Sequence, residues 1–288
     1  MEHIKNPVEY IGAQIAHAAH GAASAYHSLQ HIQETIHSPV PSVRRISIRD
    51  LGEVLRKGAD DFGAYRSDVL FVGVIYAVAG LVLWRLAFDL DILPMLFPLA
   101  SGFALIGPVA AVGLYEMSRR REQGKEVRWS NAVDVFREPS AGALSILGLL
   151  MIAIFAAWIL SAYLIFRYTL GPEEPASIMA FARDVVFTSG GWKMIGLGVG
   201  VGFLFAVLAM SISVVSFPLL LDRDVGLDTA IRTSVRAVKA NVGPMAVWGM
   251  IVVGGLILGT IPLFLGLIVV LPVLGHATWH LYRKLVEV

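Results

Sequence analysis

Apolar residues in this chain are gathered into long blocks separated by short charged segments. Four blocks, at 69–88, 93–115, 141–166 and 192–221, are almost wholly apolar. Each matches or exceeds the roughly 20 residues that a helix needs to cross a bilayer. A fifth, at 243–282, is 40 residues long. That is too long for one helix rising about 1.5 Å per residue through a core about 30 Å thick. Gly259-Thr260-Ile261-Pro262 breaks it, because proline cannot continue a helix, and leaves spans at 243–259 and 262–282. The pattern predicts an all-α, polytopic membrane protein with six transmembrane helices in a bundle over 69–288.

Two amphipathic stretches precede the bundle. Residues 1–38 read as one surface helix, opened by Asn6-Pro7 and stopped by Ser38-Pro39-Val40-Pro41. Residues 39–68 hold a linker and a second helical pattern at 47–60. There Ile48, Leu51, Val54 and Leu55 share one face, and Arg49, Asp50, Glu53, Arg56 and Lys57 lie elsewhere. Neither stretch is apolar enough to span, and both suit a membrane surface or a partner protein.

Composition agrees with a membrane setting. Hydrophobic residues make up 56% and charged residues 16%, against roughly 45–50% and about 25% in soluble domains. The net charge of +1 gives no indication of a nucleic-acid partner, but the placement of basic residues is informative. Lys5, six residues from Arg44 to Arg66, six from Arg119 to Arg137, four from Arg223 to Lys239, and Arg283 with Lys284 fall on one side of a six-span arrangement. Only Arg85, Arg167, Arg183 and Lys193 fall on the other. By the positive-inside rule both termini are expected in the cytoplasm. The chain has no cysteine, which removes disulfides, thiolate nucleophiles and Cys metal ligands together. The first 68 residues contain no apolar core of the signal-sequence kind, so the first span is expected to direct insertion.

A faint threefold repeat is visible. Three polar helices open with Ser47-Ile48-Arg49-Asp50, Ser130-Asn131-Ala132-Val133 and Asp228-Thr229-Ala230-Ile231, where Ser, Asn and Asp are good N-caps. Each leads into a hairpin whose second helix carries a proline: Pro108, Pro218 or Pro272.

Candidate chemistry is sparse. Six of the eight histidines lie in the first 37 residues. At ~100° per residue, His17, His20, His27 and His31 share one side of a helix, with the i,i+3 and i,i+4 spacings that let two imidazoles hold one metal ion. The alternative is a polar face filled with histidine. His276 and His280 lie one turn apart beside Trp279 and Tyr282, where an interfacial belt is the expectation. No other span carries histidine, which excludes a bis-His haem between facing spans.

Span centres are uncharged. Glu116, Asp222 and Arg85 sit at span ends within expected reach of headgroups, and this argues against proton-coupled transport. Gly196, Gly198, Gly200 and Gly202, with Gly255 and Gly259, have the spacing of close helix packing. Arg119, Arg120 and Arg121 form a candidate site for anionic lipid headgroups, which positive-inside topology also explains. No HExxH, GxSxG or P-loop is present, and no cofactor is expected.

The stretches 99–108, 113–121, 215–224 and 275–284 resemble an uncharacterised proteobacterial family of integral membrane proteins, some labelled as a cytochrome c oxidase subunit. The resemblance implies a bacterial inner-membrane location and six spans, and no active site. The oxidase label does not transfer, because a haem–copper subunit needs histidines on several spans. The expected function is a non-enzymatic accessory or scaffold protein that meets the lipid bilayer and either other integral membrane proteins, a respiratory-type complex among them, or copies of itself as a homo-oligomer. The rival expectations are a carrier or channel for a neutral or lipid-like substrate, and a metal- or pH-responsive element on the amino-terminal histidine stripe.

Overall fold

The computed structural model describes residues 38–64, 80, 81, 85, 93–127, 135, 140–171, 173 and 175–287. The stripe of His17, His20, His27 and His31, the expected 1–38 helix up to residue 37, most of the 69–88 span and the opening at 130–133 lie outside these residues. The described chain is helical, with one isolated bridge between Val43 and Val286.

The second amphipathic pattern forms α1, Ile48–Ala64. Its start differs from the expected cap, in which the Ser47 side chain accepts: the Ser47 amide and hydroxyl both donate to Asp50 Oδ2, each at 2.8 Å. The helix runs past residue 60, and its buried stripe is Leu51, Val54, Gly58 and Asp61. Ile48 points outward. The 3,4,3 spacing of that stripe is a helix face, and the face covers this chain's own last helix.

A short 3-10 turn, Leu93–Met95, leads into α2, Leu96–Ala110, and α3, Val112–Glu122. This path bends by 43° between Gly102 and Ala104. Pro108 has no N–H for the carbonyl four residues earlier, and its ring clashes with that carbonyl, which places the bend one turn before it. Ser101 Oγ, at 3.2 Å, and Trp158 Nε1, at 2.9 Å, donate to the Pro98 carbonyl near the bend.

Next come α4, Ala141–Thr169, α5, Ile178–Phe187, α6, Ser189–Ser213, and α7, Ser216–Asp222. Then follow α8, Leu227–Ala240, α9, Val242–Thr260, and α10, Leu267–Leu285. The α6–α7 break at Val214-Val215 again precedes a proline, Pro218. The cap expected at Asp228 is corrected: Gly226 is the N-cap of α8. Ser38 supplies the missing side chain from a distance, its Oγ accepting from the Gly226 amide and its carbonyl from Thr229 Oγ1.

By length and composition α4, the joined α6–α7 path and α9 are long and apolar enough to cross a membrane, and the bent α2 path makes a fourth if it counts as one span. The break expected at Gly259–Pro262 is a turn at 261–266.

Packing follows the repeat in its described parts. Helix α1 lies along α10, and α8 lies against α6 and α7, so each amphipathic helix covers the second hairpin helix of another unit. The charged ends of α3, α7 and α10 meet one another. Around that meeting point Tyr115, Phe217, Leu219, Leu220, Trp279, Leu281, Tyr282 and Leu285 form the centre of the core.

Candidate functional site: a buried hub between α1, α3 and α10

Two glycines set the crossings from which the site is built. A Cβ added to Gly58 would stand 2.7 Å from the Ala277 Cβ, the Ala277 amide and the Val273 carbonyl. A Cβ on Gly275 would stand 2.5 Å from Leu114 Cδ1. Without side chains at these points, α1 and α3 approach α10 from two sides. Asp61, one turn beyond Gly58, and Ser118, one turn beyond Leu114, then meet the histidines of α10.

Asp61 is 4% exposed. Its Oδ2 accepts from Ser118 Oγ at 2.6 Å and lies 2.9 Å from His280 Nε2, while Oδ1 accepts from Arg121 at 2.5 Å. Ser118 Oγ is also 2.7 Å from His276 Nδ1. The hydroxyl has one hydrogen, and Asp61 receives it. His276 therefore carries its proton on Nδ1 and donates to Ser118 Oγ. The His276 ring also interacts with the Leu114 backbone, which ties α10 to α3 a second time. Burial works to raise the Asp61 pKa, but the His280 and Ser118 hydrogen bonds and the two imidazoles outweigh it and hold the carboxyl below its ordinary value.

A second layer of pairs surrounds the hub. Glu122 accepts from Trp279 Nε1 and Arg283, both at 3.0 Å. Asp222 accepts from the Tyr282 hydroxyl at 2.6 Å and from Arg283 at 3.2 Å. Lys284 sits between Asp50, at 3.1 Å, and Glu53, at 2.7 Å. A groove of about 770 Å³ opens over the cluster, lined by Arg44, Arg45, Lys57 and Asp60 among others.

Several expectations change here. His276, Trp279 and Tyr282 are not an interfacial belt: they are buried, and their polar atoms serve Ser118, Glu122 and Asp222. Glu116 and Asp222 do not reach headgroups, because each is enclosed by arginines of this chain. Desolvated carboxylates take internal partners when a helix end is covered by other helices. Arg119 and Arg120 pair with Glu116, at 2.9 and 2.6 Å, and Arg121 pairs with Asp61. The six glycines divide. Gly202 meets Trp158, Gly255 meets Val270 and Leu274, and Gly259 meets Leu267. A Cβ on Gly196, Gly198 or Gly200 would meet open space.

The hub does not have the layout of a catalytic triad. In a catalytic triad the imidazole lies between hydroxyl and carboxylate; here Ser118 gives its proton straight to Asp61 and is itself buried. What the arrangement does is hold three helices together through one carboxylate. Asp61 was the residue that sequence reasoning missed. The signal was there: a carboxylate continuing the 51, 54, 58 stripe, on the face that apolar periodicity assigns to the interior.

Residues 96–222 match the profile of a family described as predicted integral membrane protein (DUF2189). The match covers α2 to α7, and so includes Ser118 and Arg121 but not Asp61, His276 or His280. No curated protein and no solved structure matches the chain. The chain is an integral membrane protein, and its described residues form a helical fold.

Proposed function

We propose that this is a non-enzymatic accessory or scaffold protein of a bacterial inner membrane, multi-pass with both termini cytoplasmic, that docks through its lipid-facing helices on other integral membrane proteins or on copies of itself. The carrying observation is the division of small residues along α6. Gly202 is used inside the chain, against Trp158, whereas Gly196 and Gly200, one turn apart, lie exposed with open space before them. Phe203, Leu204 and Val207 continue this outer surface. Glycines four apart let two membrane helices approach at their backbones.

The described interior supports the same reading over a carrier. Phe155 fills the space at Gly102 so closely that a Cβ there would stand 2.2 Å from its ring, and Trp158 fills the space at Gly202. The placement of basic residues supports the orientation, as does the side-by-side position of Arg44, Arg121, Arg223 and Arg283 at one end of the bundle.

The test is co-purification from native membranes in mild detergent, followed by mass determination. A Gly196→Ile/Gly200→Ile variant is expected to lose its attached protein or second copy and to keep the wild-type melting temperature. A wild-type protein that emerges alone and monomeric, or a double variant that retains its partner in full, overturns the proposal.

A further inference from the structure

We infer that the α9–α10 hairpin is re-entrant: it turns inside the bilayer, presents its turn to lipid acyl chains, and leaves by the face it entered.

Relative heights carry this. Tyr282 donates to Asp222, which puts the ends of α10 and α7 on one level. From that level the α6–α7 path runs 34 residues, about 50 Å at ~1.5 Å per residue. Helix α10 has 19 residues, about 28 Å by the same rise. Its half from His276 to Leu285 stands against α1, whose outward side chains Arg56, Lys57 and Asp60 are exposed and charged. Hydrocarbon does not cover such a face. Only Leu267–Gly275 remains for the membrane, about 13 Å of a core about 30 Å thick. The turn therefore lies near the middle of the bilayer, alongside the central part of α6.

The chemistry of the turn fits that depth. Ile261-Pro262-Leu263-Phe264-Leu265-Gly266 contains no polar side chain, and Ile261, Leu263 and Leu265 are each roughly two-thirds exposed. The α4–α5 connection, by contrast, carries Glu173 and Glu174. A turn in hydrocarbon must satisfy its own backbone. Here Pro262 has no amide hydrogen, and the amides of Phe264, Leu265 and Leu267 bond to the carbonyls of Thr260, Pro262 and Phe264 at 3.0–3.1 Å. The Thr260 hydroxyl closes on the Ile257 carbonyl at 2.7 Å. Leu263 and Phe264 take positive φ, 51° and 66°, an uncommon conformation for side-chain-bearing residues that keeps the turn tight. Gly259 and Gly266 touch backbone to backbone at its base.

The natural absence of cysteine makes the test clean. Single Ile261→Cys and Leu265→Cys variants, both at exposed positions of ordinary φ, are labelled with bimane and reconstituted into phosphatidylcholine/phosphatidylglycerol vesicles. The vesicles carry a nitroxide at a shallow or a deep acyl carbon. A Glu173→Cys variant calibrates labelling from water. The deep nitroxide is expected to quench both turn positions more strongly than the shallow one. A membrane-impermeant maleimide is expected to leave both turn cysteines unmodified in intact vesicles and to label them after denaturation. Stronger quenching by the shallow nitroxide, or labelling of either turn cysteine by the impermeant reagent, overturns the inference and makes the hairpin two complete crossings. Neither readout depends on whether α6 has a partner.

Discussion

Gly58 and Ala277 touch where α1 crosses α10, at a distance that admits no side chain on Gly58. The contact puts Asp61 beneath α1, in reach of both histidines of α10, and so turns an amphipathic surface helix into a structural part of the bundle.

Gly58→Ala is therefore expected to destabilise the protein by about 1–3 kcal/mol, the cost of overpacking a filled interior. Backbone atoms oppose the new methyl group, so a rotamer change does not relieve it. Gly52→Ala, on the same helix with nothing within 4 Å, is expected to be neutral or slightly stabilising through helix propensity. Thermal unfolding of both variants in nanodiscs compares them; equal melting temperatures would refute the close crossing.

Asp61→Asn removes the charge that Arg121 and His280 face. A loss of about 1–3 kcal/mol is expected, discounted because the Arg121 side chain is 38% exposed. The pH dependence has a defined sign. The folded pKa of Asp61 lies below its ordinary value of 3.8, so its stabilisation is fully present above that value and disappears as pH falls through the lowered one. Limited proteolysis of α1 at decreasing pH is expected to show release below the ordinary carboxylate range. In Asp61→Asn the release at neutral pH is already raised, and this part of the pH response is absent.

Lys284→Ala tests the outer layer. Its partners Asp50 and Glu53 are partly exposed, and pairs of this kind contribute about 0–1 kcal/mol. The Asp50 carboxyl is held down to about 2, first by the Ser47 amide and hydroxyl and then by Lys284. The variant is expected to raise that pKa in a carboxyl-carbon NMR titration and to cost less stability than Asp61→Asn. The reverse ranking would show that the outer pairs, not the hub, hold α1 in place.

Trp158→Phe keeps a ring in the core but removes the donor to the Pro98 carbonyl near the α2 bend. Ser101 Oγ still donates to that carbonyl, so the expected cost is that of one net hydrogen bond, about 0.5–1.5 kcal/mol. Because Trp158 also packs on Gly202 and Phe205, a Gly202→Ala variant separates packing from hydrogen bonding. Melting temperatures of the two variants check this; an unchanged value for Trp158→Phe would mean that the bend needs no donor from α4.

Much of the candidate site was legible in residue type and little of it in partnership. The α1 stripe of Leu51, Val54, Gly58 and Asp61 obeys helical periodicity, and the prolines at 108 and 218 mark their bends, because both effects act within about one turn of chain. The hub joins residues separated by 57 to 219 positions, and no local pattern states which helix ends will meet. His276 and His280 beside Trp279 and Tyr282 have the composition of a membrane belt, and only the covering of α10 by α1, α3 and α7 makes them interior.

By itself the sequence determined an all-helical membrane chain, the positions of its breaks and the gathering of basic charge, since apolar block length, proline and charge act locally on the choice between water and lipid. Tertiary structure alone decided that Asp61 would lie between Ser118 and two histidines, and that three of the six candidate packing glycines would meet neighbouring side chains and three open space. It also decided that α10, with 19 residues, would rise little more than half as high as the 34-residue α6–α7 path. Those outcomes depend on which helix covers which, and that is settled by close contacts such as Gly58 on Ala277, between residues far apart in the chain.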